Sequence, residues 1–498
     1  MQRKEVVMTT KTKLPQDVDY TGERVPASAR KGFWPMFFIM RGFTFFSASM
    51  WTGVDLANGL DLQGFVWTIL LGGVILAAYT GALGYIGCKT GLSFDLLSRR
   101  AFGSKGSYLP SALIALTQIG WFGVGAAMFA IPAAQVLAPE STILPYLLVL
   151  AVGVCMTTSA YFGIKGLEIV SYVSVPLIAI LGTYAMVTAT VQGGGLAAIF
   201  AKSTGKLTIF SGVGLVIGSF VSGGTATPNF TRFAKGNKAA VWTTVIAFFI
   251  GNTLMFCFGG VAGAFVGSND IFWVMIELNL GIFAFLVLGA NIWTTNDNAL
   301  YTGALGLSNI TGKKKKPMVI LAGVIGTLAA MWLYYNFCNW LTLLNATLPA
   351  IGVILIADFF LRREHYEGEE KAASPVNWAA IIGVAAGALV GNLTGGNLIP
   401  GFSFGIAAIN NMLVALACYL AGGLGQFTRN YTQTVKRAAD NKRRYAPGWV
   451  HSTCLLRGFP KGAAPHLAHD FAEQSVVCYT LCRRCPENTV AAGEGKGI

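Results

Sequence analysis

Long apolar runs, separated by short charged or turn-forming stretches, dominate the chain. A run of about 20 apolar residues can cross a bilayer as a helix, and the charges between runs mark where each helix ends. The pattern predicts twelve membrane helices with approximate bounds 34–56, 66–88, 107–135, 143–162, 166–190, 208–231, 238–266, 280–307, 318–334, 339–361, 376–394 and 402–426. The predicted fold class is therefore an all-α polytopic membrane protein.

Two polar, glycine-rich stretches interrupt these apolar runs. Residues 45–53 read Phe-Phe-Ser-Ala-Ser-Met-Trp-Thr-Gly, and residues 218–227 read Gly-Ser-Phe-Val-Ser-Gly-Gly-Thr-Ala-Thr. Non-helical backbone is tolerated at membrane depth where protein or a cavity satisfies its hydrogen bonds, and such breaks in two halves of a chain mark the binding site of a secondary transporter. We expect both helices to unwind there. Ordinary packing faces of small residues are the alternative.

A short amphipathic segment lies between the second and third predicted helices. Phe94, Leu97 and Phe102 fall on one side of it, and its charged residues fall on the other. This pattern is typical of a short helix lying in the membrane interface.

Composition places most of the chain in lipid. The chain is 54% hydrophobic and 12% charged, whereas soluble domains carry about 25% charged residues. The net charge of +14 would suggest a nucleic-acid partner in a soluble protein. Here the lysines and arginines concentrate in loops after even-numbered helices, while loops after odd-numbered helices carry only Lys202 and Lys206. Cytoplasmic loops hold such an excess, so we expect both termini in the cytoplasm, with no nucleic-acid partner and no obligate protein partner.

The chain divides into three parts by composition. Residues 1–33 are a polar segment expected in the cytoplasm, residues 34–426 form the twelve-helix domain, and residues 427–498 form a cytoplasmic tail expected to be disordered. Cys478, Cys482 and Cys485 lie in this tail downstream of histidines. Their spacing fits no standard zinc pattern.

The third helix carries polar and aromatic residues on one face. Gln118, Trp121, Phe122 and Gly125 follow the i, i+3, i+4, i+7 spacing. A buried glutamine is costly in lipid unless it is paired, and its amide matches the donor and acceptor edge of an amide-like ring. The indole offers a flat stacking surface. The alternative is that Gln118 joins helices and Trp121 is part of the core.

The sixth helix supplies a second aromatic ring. Phe220 lies in the second interruption between Ser219 and Ser222, and a ring facing Trp121 would complete an aromatic sandwich for a flat, neutral heterocycle. Neither interruption contains arginine or lysine, which disfavours a carboxylate or phosphate substrate. Arg41 is the nearest cation, and its role stays open.

The eighth helix contains the most polar membrane run, residues 291–298. Asn291, Thr294 and Thr295 share one face, so their oxygens can converge. Together with backbone carbonyls near Phe46 and Ser49, they predict a site for a small hard cation such as Na⁺. Asp297, a carboxylate deep in the same span, is a functional candidate either as a proton carrier or as a structural group.

Several stretches between residues 26 and 425 carry a family likeness. They read Ser-Ala-Arg-Lys-Gly at 28–32, Thr-Phe-Phe-Ser-Ala-Ser-Met-Trp-Thr-Gly at 44–53, Gly-Tyr-Ile-Gly at 84–87 with Lys-Thr-Gly-Leu at 89–92, Gly-Trp-Phe-Gly-Val-Gly at 120–125 with Ala-Met-Phe-Ala-Ile-Pro at 127–132, and Asn-Ile-Trp-Thr-Thr-Asn-Asp-Asn-Ala-Leu-Tyr at 291–301. By these motifs the chain resembles the bacterial members of nucleobase-cation-symport family 1, the purine-cytosine permease family.

The resemblance implies the leucine-transporter fold, in which ten core helices form two inverted five-helix repeats and two further helices follow. It implies Na⁺-coupled import of cytosine by alternating access across the bacterial cytoplasmic (inner) membrane. Carried across residue by residue, base binding falls on Gln118, Trp121, Ser219 and Phe220, with Asn296 as a further candidate, and sodium binding falls on Phe46 and Ser49 through backbone and on Asn291, Thr294 and Thr295.

The sequence is compatible with other functions. A purine, uracil, allantoin or another hydantoin-like ring can replace cytosine, H⁺ coupling through Asp297 can replace Na⁺ coupling, and a channel or sensor would be a different class. A membrane enzyme needs a nucleophile with a base, or a metal cluster, at one depth. The four histidines all lie outside the predicted spans, so we expect no enzyme and no cofactor besides the coupling ion.

Overall fold

The computed structural model describes residues 19–422 except 163, 269–270 and 369–373. The helices in this part of the chain are α1 Phe33–Thr44, α2 Ser47–Gly59, α3 Leu62–Thr90, α4 Phe94–Phe102, α5 Tyr108–Leu137, α6 Leu144–Ala160, α7 Ile164–Gln192, α8 Leu196–Phe200, α9 Ile209–Thr225, α10 Pro228–Thr231, α11 Asn237–Val245, α12 Asn252–Val266, α13 Ile271–Glu277, α14 Gly281–Thr311, α15 Lys315–Tyr335, α16 Phe337–Thr347, α17 Pro349–Leu361, α18 Glu364–Glu367, α19 Trp378–Thr394 and α20 Ala407–Gly422. The predicted all-helical class is confirmed. The predicted tail, residues 427–498, lies outside the described residues.

Seven helices of the described residues are long and apolar enough to cross a membrane. They are Leu62–Thr90, Tyr108–Leu137, Ser171–Gln192, Ile209–Thr231, Asn237–Val266, Lys315–Tyr335 and Asn339–Leu361. Helices α6, α19 and α20 are apolar but shorter. Large apolar side chains such as Leu328, which is 81% exposed, lie on the outside of the molecule, as expected of a surface in contact with lipid. The count of twelve spans stays a prediction.

The first predicted helix break is present. Phe45 and Phe46 adopt extended backbone between α1 and α2, with φ and ψ of −77° and 91° at Phe45 and −135° and 131° at Phe46. The helix resumes at Ser47, so the interruption is shorter than the polar stretch that predicted it. The Asn291 side-chain amide donates to the Phe45 carbonyl, and the Ser49 N–H donates to the Phe46 carbonyl over 3.0 Å. These bonds satisfy backbone that would otherwise be unpaired at membrane depth.

The second predicted break is wrong over most of its length. Helix α9 runs unbroken from Ile209 to Thr225 and ends only before Pro228, which opens α10. The hydroxyls of Ser219 and Thr225 donate to carbonyls three and four residues back in the same helix, over 2.8 and 2.7 Å. Hydroxyl groups that bond within the helix in this way do not interrupt it. The glycines of the stretch serve close packing instead, because a side chain at Gly223 would collide with the Phe43 ring.

The helices form two bundles with a seam between them. The first bundle comprises α1, α2, α3, α9, α10, α11 and α12, the second comprises α5, α6, α14 and α15, and α7 packs against both. The break at Phe45 and Phe46 lies in the first bundle, where α14 of the second bundle reaches it through Asn291. The seam therefore brings the broken helix and the polar run of α14 together.

Helix α4 forms as predicted, but its polar side is buried against protein instead of facing water. Its polar residues Asp95 and Arg100 are buried, being 4% and 8% exposed. Ser111 of α5 donates to Asp95 over 2.6 Å, and the Arg100 guanidinium donates to the carbonyls of His365 and Gly368. The polar side of α4 thus packs against protein groups that satisfy it.

Burial of Asp95 makes stability depend on pH. Burial raises the pKa of Asp95 to about 6, against the opposing effects of Ser111, Arg232 and Arg99, whereas an unfolded aspartate has a pKa of about 3.9. The folded protein therefore holds this proton more tightly. The stability contributed by Asp95 is complete below about pH 4 and falls as pH rises through about 6, by on the order of 3 kcal/mol at most.

Asp95→Asn should remove this pH dependence. Melting temperatures in detergent should fall between about pH 4 and 6 for the unsubstituted protein and stay level for the variant, apart from changes both proteins share. Equal slopes for the two proteins would contradict the assignment.

Candidate functional site

A small cavity of about 10 Å³, with room for no more than about one water molecule, lies on the seam between the two bundles. Its lining residues are Phe43, Phe46, Ser219, Phe220, Ser222 and Gly223 from the first bundle and Gln118, Trp121, Thr295 and Ala299 from the second. The lining carries no formal charge, and most of its surface is aromatic or apolar. Such a wall suits a neutral, flat molecule held by a few polar groups.

Three of the lining residues form a hydrogen-bonded cluster across the seam. The Gln118 amide nitrogen and the Trp121 indole nitrogen both donate to the Ser222 hydroxyl oxygen, over 3.1 and 2.9 Å. The carbonyl oxygen of the Gln118 amide is buried and has no hydrogen-bond partner within the described residues. These two donors occupy both lone pairs of the Ser222 oxygen, so towards a further group this hydroxyl can act only as a donor. The wall thus presents one acceptor and one donor.

Ser222 is a residue that the sequence pattern named only as a neighbour of Phe220. It lies on α9, about a hundred residues from its two partners on α5, so spacing along the chain gave no signal of their convergence. Ser219, which the sequence did single out, also lines the cavity. Its hydroxyl is bonded to the Val216 carbonyl.

The aromatic rings line the cavity from both bundles. Phe220 contacts Phe43 and Phe248 edge-on, each with 5.8 Å between ring centroids. The Trp121 ring contacts Phe46 at 5.7 Å. Trp121 and Phe220 therefore share the cavity, and the sandwich of a ring between them stays a prediction.

Backbone and side-chain oxygens converge beside the helix break. The hydroxyls of Thr294 and Thr295 each lie 3.2 Å from the Gly42 carbonyl oxygen, and Thr295 lies 3.5 Å from that of Phe45. Thr294 also lies 2.7 Å from the Asn291 carbonyl oxygen. The last carbonyls of a helix have no partner within it, so the early end of α1 makes the Gly42 oxygen available. The groups that could bind a cation here are all neutral oxygens, and oxygen ligands suit a hard cation.

The carbonyls in this cluster differ from those expected. The Phe46 carbonyl bonds to the Ser49 N–H in the first turn of α2, and the Phe46 ring lines the cavity. The Ser49 hydroxyl is buried without a hydrogen-bond partner in the described part of the chain. The groups that face Thr294 and Thr295 belong to Gly42 and Phe45, which sequence reasoning missed because the last residue of α1 decides which carbonyls are free.

Asn296 and Asp297 face away from the cavity, towards α5 and α6. The Asn296 amide donates to the Phe122 carbonyl over 3.1 Å and contacts the Met156 sulfur. Ser159 donates to one Asp297 carboxyl oxygen over 2.5 Å and accepts from the Trp293 indole over 2.6 Å. The other Asp297 oxygen is buried and, among the described residues, has no partner.

Arg41 also lies outside the cavity lining. Its guanidinium packs on the rings of Phe37 and Phe45 at 5.5 and 4.6 Å and donates over 3.4 Å to the carbonyl of Ile246. Ile246 begins a stretch of π-helix, Ile246–Gly251, between α11 and α12. Arg41 therefore joins the end of α1 to this irregular stretch.

Aromatic contacts cross the seam on one side of the cavity. Trp51 of α2 packs against Tyr334 of α15 and Phe337 of α16, with 5.4 and 5.1 Å between centroids. Phe337 and Trp340 in turn pack against Trp121. We refer to this as the aromatic side of the cavity.

A neutral cavity between two bundles of membrane helices, next to a helix broken at the same depth, is the arrangement found in secondary transporters. Residues 24–419 match the family of permeases for cytosine/purines, uracil, thiamine and allantoin. The chain belongs to this family, and it is an integral membrane permease, not an enzyme.

Individual relatives support the family assignment. The chain is 45% identical over 409 residues to the cytosine permease of Escherichia coli strain K12, covering 82% of this chain and 94% of that protein. It is 24% identical over 396 residues to the hydantoin permease of Microbacterium maritypicum, covering 70% and 80% of the two chains. The fold matches that of Mhp1, a nucleobase-cation-symport-1 family transporter solved in a closed conformation with bromovinylhydantoin bound, with a TM-score of 0.67, 20% identity and coverage of 81% and 94%.

Proposed function

We propose that the protein imports cytosine together with Na⁺ by alternating access. The observation that carries the proposal is the cluster of Gln118, Trp121 and Ser222 in a neutral aromatic cavity. The 45% identity to a cytosine permease supports the same substrate. A base held between Trp121 and Phe220 would gain stacking energy of about 1–3 kcal/mol.

The hydrogen-bonding capacity of the cavity wall favours cytosine over uracil. Cytosine carries an amino donor next to a ring-nitrogen acceptor, whereas uracil carries a carbonyl acceptor next to an N–H donor. The free Gln118 carbonyl oxygen matches the amino group, and the Ser222 hydroxyl matches the ring nitrogen. With uracil, the Gln118 carbonyl oxygen would face a carbonyl oxygen of the base, and the Ser222 hydroxyl would face a ring N–H. These buried groups would be left unpaired, which costs about 1–3 kcal/mol for each group.

Sodium is the proposed coupling ion, and the oxygen cluster beside the helix break is its proposed site. Carbonyls of Gly42, Phe45 and Asn291 and hydroxyls of Thr294 and Thr295 would hold it. A hydroxyl accepts as well as donates, so each threonine can turn a lone pair to the cation. Thr295 also lines the cavity, so the proposed ion would lie next to the proposed base. Phe46 and Ser49 remain candidate ligands.

Asp297 supports H⁺ as an alternative coupling ion. The Ser159 hydroxyl accepts from the Trp293 indole, which can only donate, and it has two acceptors for its own proton, Asp297 and the Met156 carbonyl 2.9 Å away. The remaining Asp297 oxygen, buried without a described partner, is a place where a proton would remove an unpaired charge. Asp297 lies one helical turn from Thr294, close enough to affect the proposed cation site.

The membrane arrangement is part of the same proposal. It comprises twelve spans within residues 34–426, two inverted five-helix repeats followed by two helices, and both termini in the cytoplasm of a bacterial inner membrane. The observed helix bounds and the likeness to the Mhp1 fold support it. Residues 1–33 and 427–498 would flank this domain on the cytoplasmic side.

Uptake into proteoliposomes tests the proposal. Radiolabelled cytosine should accumulate when an inward Na⁺ gradient is imposed at equal pH, and unlabelled uracil or hydantoin should compete poorly. Uptake driven by a pH gradient without Na⁺ would identify H⁺ as the coupling ion, with Asp297 as its proposed carrier. Better competition by another ring would reassign the substrate, and ion current without accumulation would identify a channel.

A further inference from the structure

A cluster of buried charged and polar groups crosses the seam at the start of α15, whereas Tyr334 of the aromatic side lies at the other end of the same helix. Its centre is Arg232, which follows α10 and is fully buried. The cluster consists of Arg232, Tyr301, Asp19, Tyr20 and Lys315. Burial of a guanidinium costs free energy unless its N–H donors are hydrogen-bonded. The partners of Arg232 therefore indicate what the cluster does.

The bonds of Arg232 join three parts of the molecule. Its guanidinium donates to the carbonyls of Tyr20 and Asp19 over 2.9 and 2.8 Å, and to the Tyr301 hydroxyl of α14 over 3.0 Å. Its Nε donates to the carbonyl of Asn229 in its own bundle over 3.2 Å. One side chain of the first bundle thus holds both the second bundle and the segment ahead of α1.

This segment, residues 19–31, forms a strap that is tied to both bundles. Arg30 donates to the Cys88 carbonyl of α3 over 3.0 Å, and Lys31 pairs with the backbone next to Ala234. At its other end, Asp19 forms an ion pair with Lys315 at the start of α15. The Lys315 ammonium also lies 4.7 Å from the centre of the Tyr301 ring. The strap therefore crosses the seam from the first bundle to the second.

The cluster lies one aromatic layer away from the cavity. Phe43 lines the cavity, its ring is 5.2 Å from that of Phe230, and Phe230 is 5.9 Å from Tyr301. Ala299, two residues before Tyr301 on α14, also lines the cavity. A path from the cavity to the strap side would have to part these groups.

We propose that the cluster around Arg232 is a latch that closes the cavity on the strap side and must open each time the cavity opens there. Arg232 and Tyr301 act as positioning residues that set how often the bundles separate, and they do not touch the substrate. The inference rests on the proposed alternating access.

Tyr301→Phe tests the latch without removing a ring. The variant keeps the contact of the ring with Phe230 and loses the hydroxyl that accepts from Arg232. The matched control is Tyr79→Phe, because the buried Tyr79 hydroxyl bonds Thr225 over 2.6 Å between α3 and α9, within the first bundle. Both variants lose a buried hydroxyl, but the Tyr301 hydroxyl accepts from Arg232 across the seam, whereas the Tyr79 hydroxyl bonds Thr225 within the first bundle.

Accessibility of the cavity gives the readout. A cysteine introduced at Ala299, in the full chain with its native cysteines replaced, would be labelled by a membrane-impermeant maleimide in vesicles of each orientation. Loss of a hydrogen bond to a charged group should raise labelling from the strap side about tenfold in Tyr301→Phe and leave it unchanged in Tyr79→Phe. Labelling from the aromatic side should not rise.

A second substitution and a stability measurement keep the test decisive. Lys315→Met, which removes the charge that pairs with Asp19, should also raise labelling from the strap side. Equal labelling of Tyr301→Phe and Tyr79→Phe at matched melting temperature, or a rise from both sides together, would overturn the latch. Because labelling needs no substrate, a failure of cytosine uptake in the unsubstituted protein would count against the proposed function and not against the latch.

Discussion

Alanine in place of Gln118 should weaken cytosine binding about ten- to hundredfold while the protein stays folded. The substitution removes the free acceptor in the cavity wall and one of the two donors to Ser222, so the amino edge of the base loses its partner. Trp121→Ala should cost a similar factor through lost stacking, and Trp121→Phe should recover part of it, because a flat ring remains while the bond to Ser222 is lost. Binding is measured by titrating the purified protein with cytosine in the presence of Na⁺.

Gln135→Ala is the matched control for this prediction. Gln135 lies on the same helix, outside the cavity lining, and accepts a hydrogen bond from the Trp273 indole over 3.0 Å. The control should bind cytosine as the unsubstituted protein does. Unchanged affinity in both Gln118→Ala and Trp121→Ala would rule out the cavity as the base site.

Thr295→Ala should raise the Na⁺ concentration needed for half-maximal uptake by about tenfold, while the order of preference among competing bases stays the same. The Thr295 hydroxyl lies against the Gly42 and Phe45 carbonyls, and loss of one polar contact with a charged group costs about 1.5–3 kcal/mol. A sodium titration of cytosine uptake in proteoliposomes measures the effect.

Thr302→Ala provides the comparison on the same helix. Thr302 is buried on α14 like Thr295, but it lies about two turns further along, outside the oxygen cluster. Its removal should leave the sodium titration unchanged. A normal sodium response in Thr295→Ala would move the ion site elsewhere, and an equal effect in both variants would point to general damage of α14.

The helices and the polar residues of the cavity could be predicted because each corresponds to a pattern within one continuous stretch of sequence. Apolar run length predicted α5 and α14 closely, and a polar face in a lipid environment marked Gln118 and Trp121. The break at Phe45 was also predicted, since hydroxyls and glycine accumulate there. The same composition misled in α9, where Ser219 and Thr225 bond back to their own helix.

What the sequence could not predict depends on contacts between distant parts of the chain. The free carbonyls of α1 depend on its last residue, and the pattern does not determine helix ends to that accuracy. Ser222 matters because two donors from another helix meet at its oxygen. The polar face of α4 is the same whether water or protein satisfies it, so only the fold distinguishes the two. Arg232 looks like any loop arginine until its partners are known.

The two sides of the cavity are closed by different chemistry, and this difference has a calorimetric consequence. Separating Trp51 from Tyr334 and Phe337 hydrates aromatic surface, which increases heat capacity. Separating Arg232 from Tyr301 and the strap mainly hydrates polar groups, which changes heat capacity in the opposite sense. The equilibrium between the form open on the aromatic side and the form open on the strap side should therefore shift with temperature. The side on which the cavity is more often open would then depend on the temperature at which the protein works.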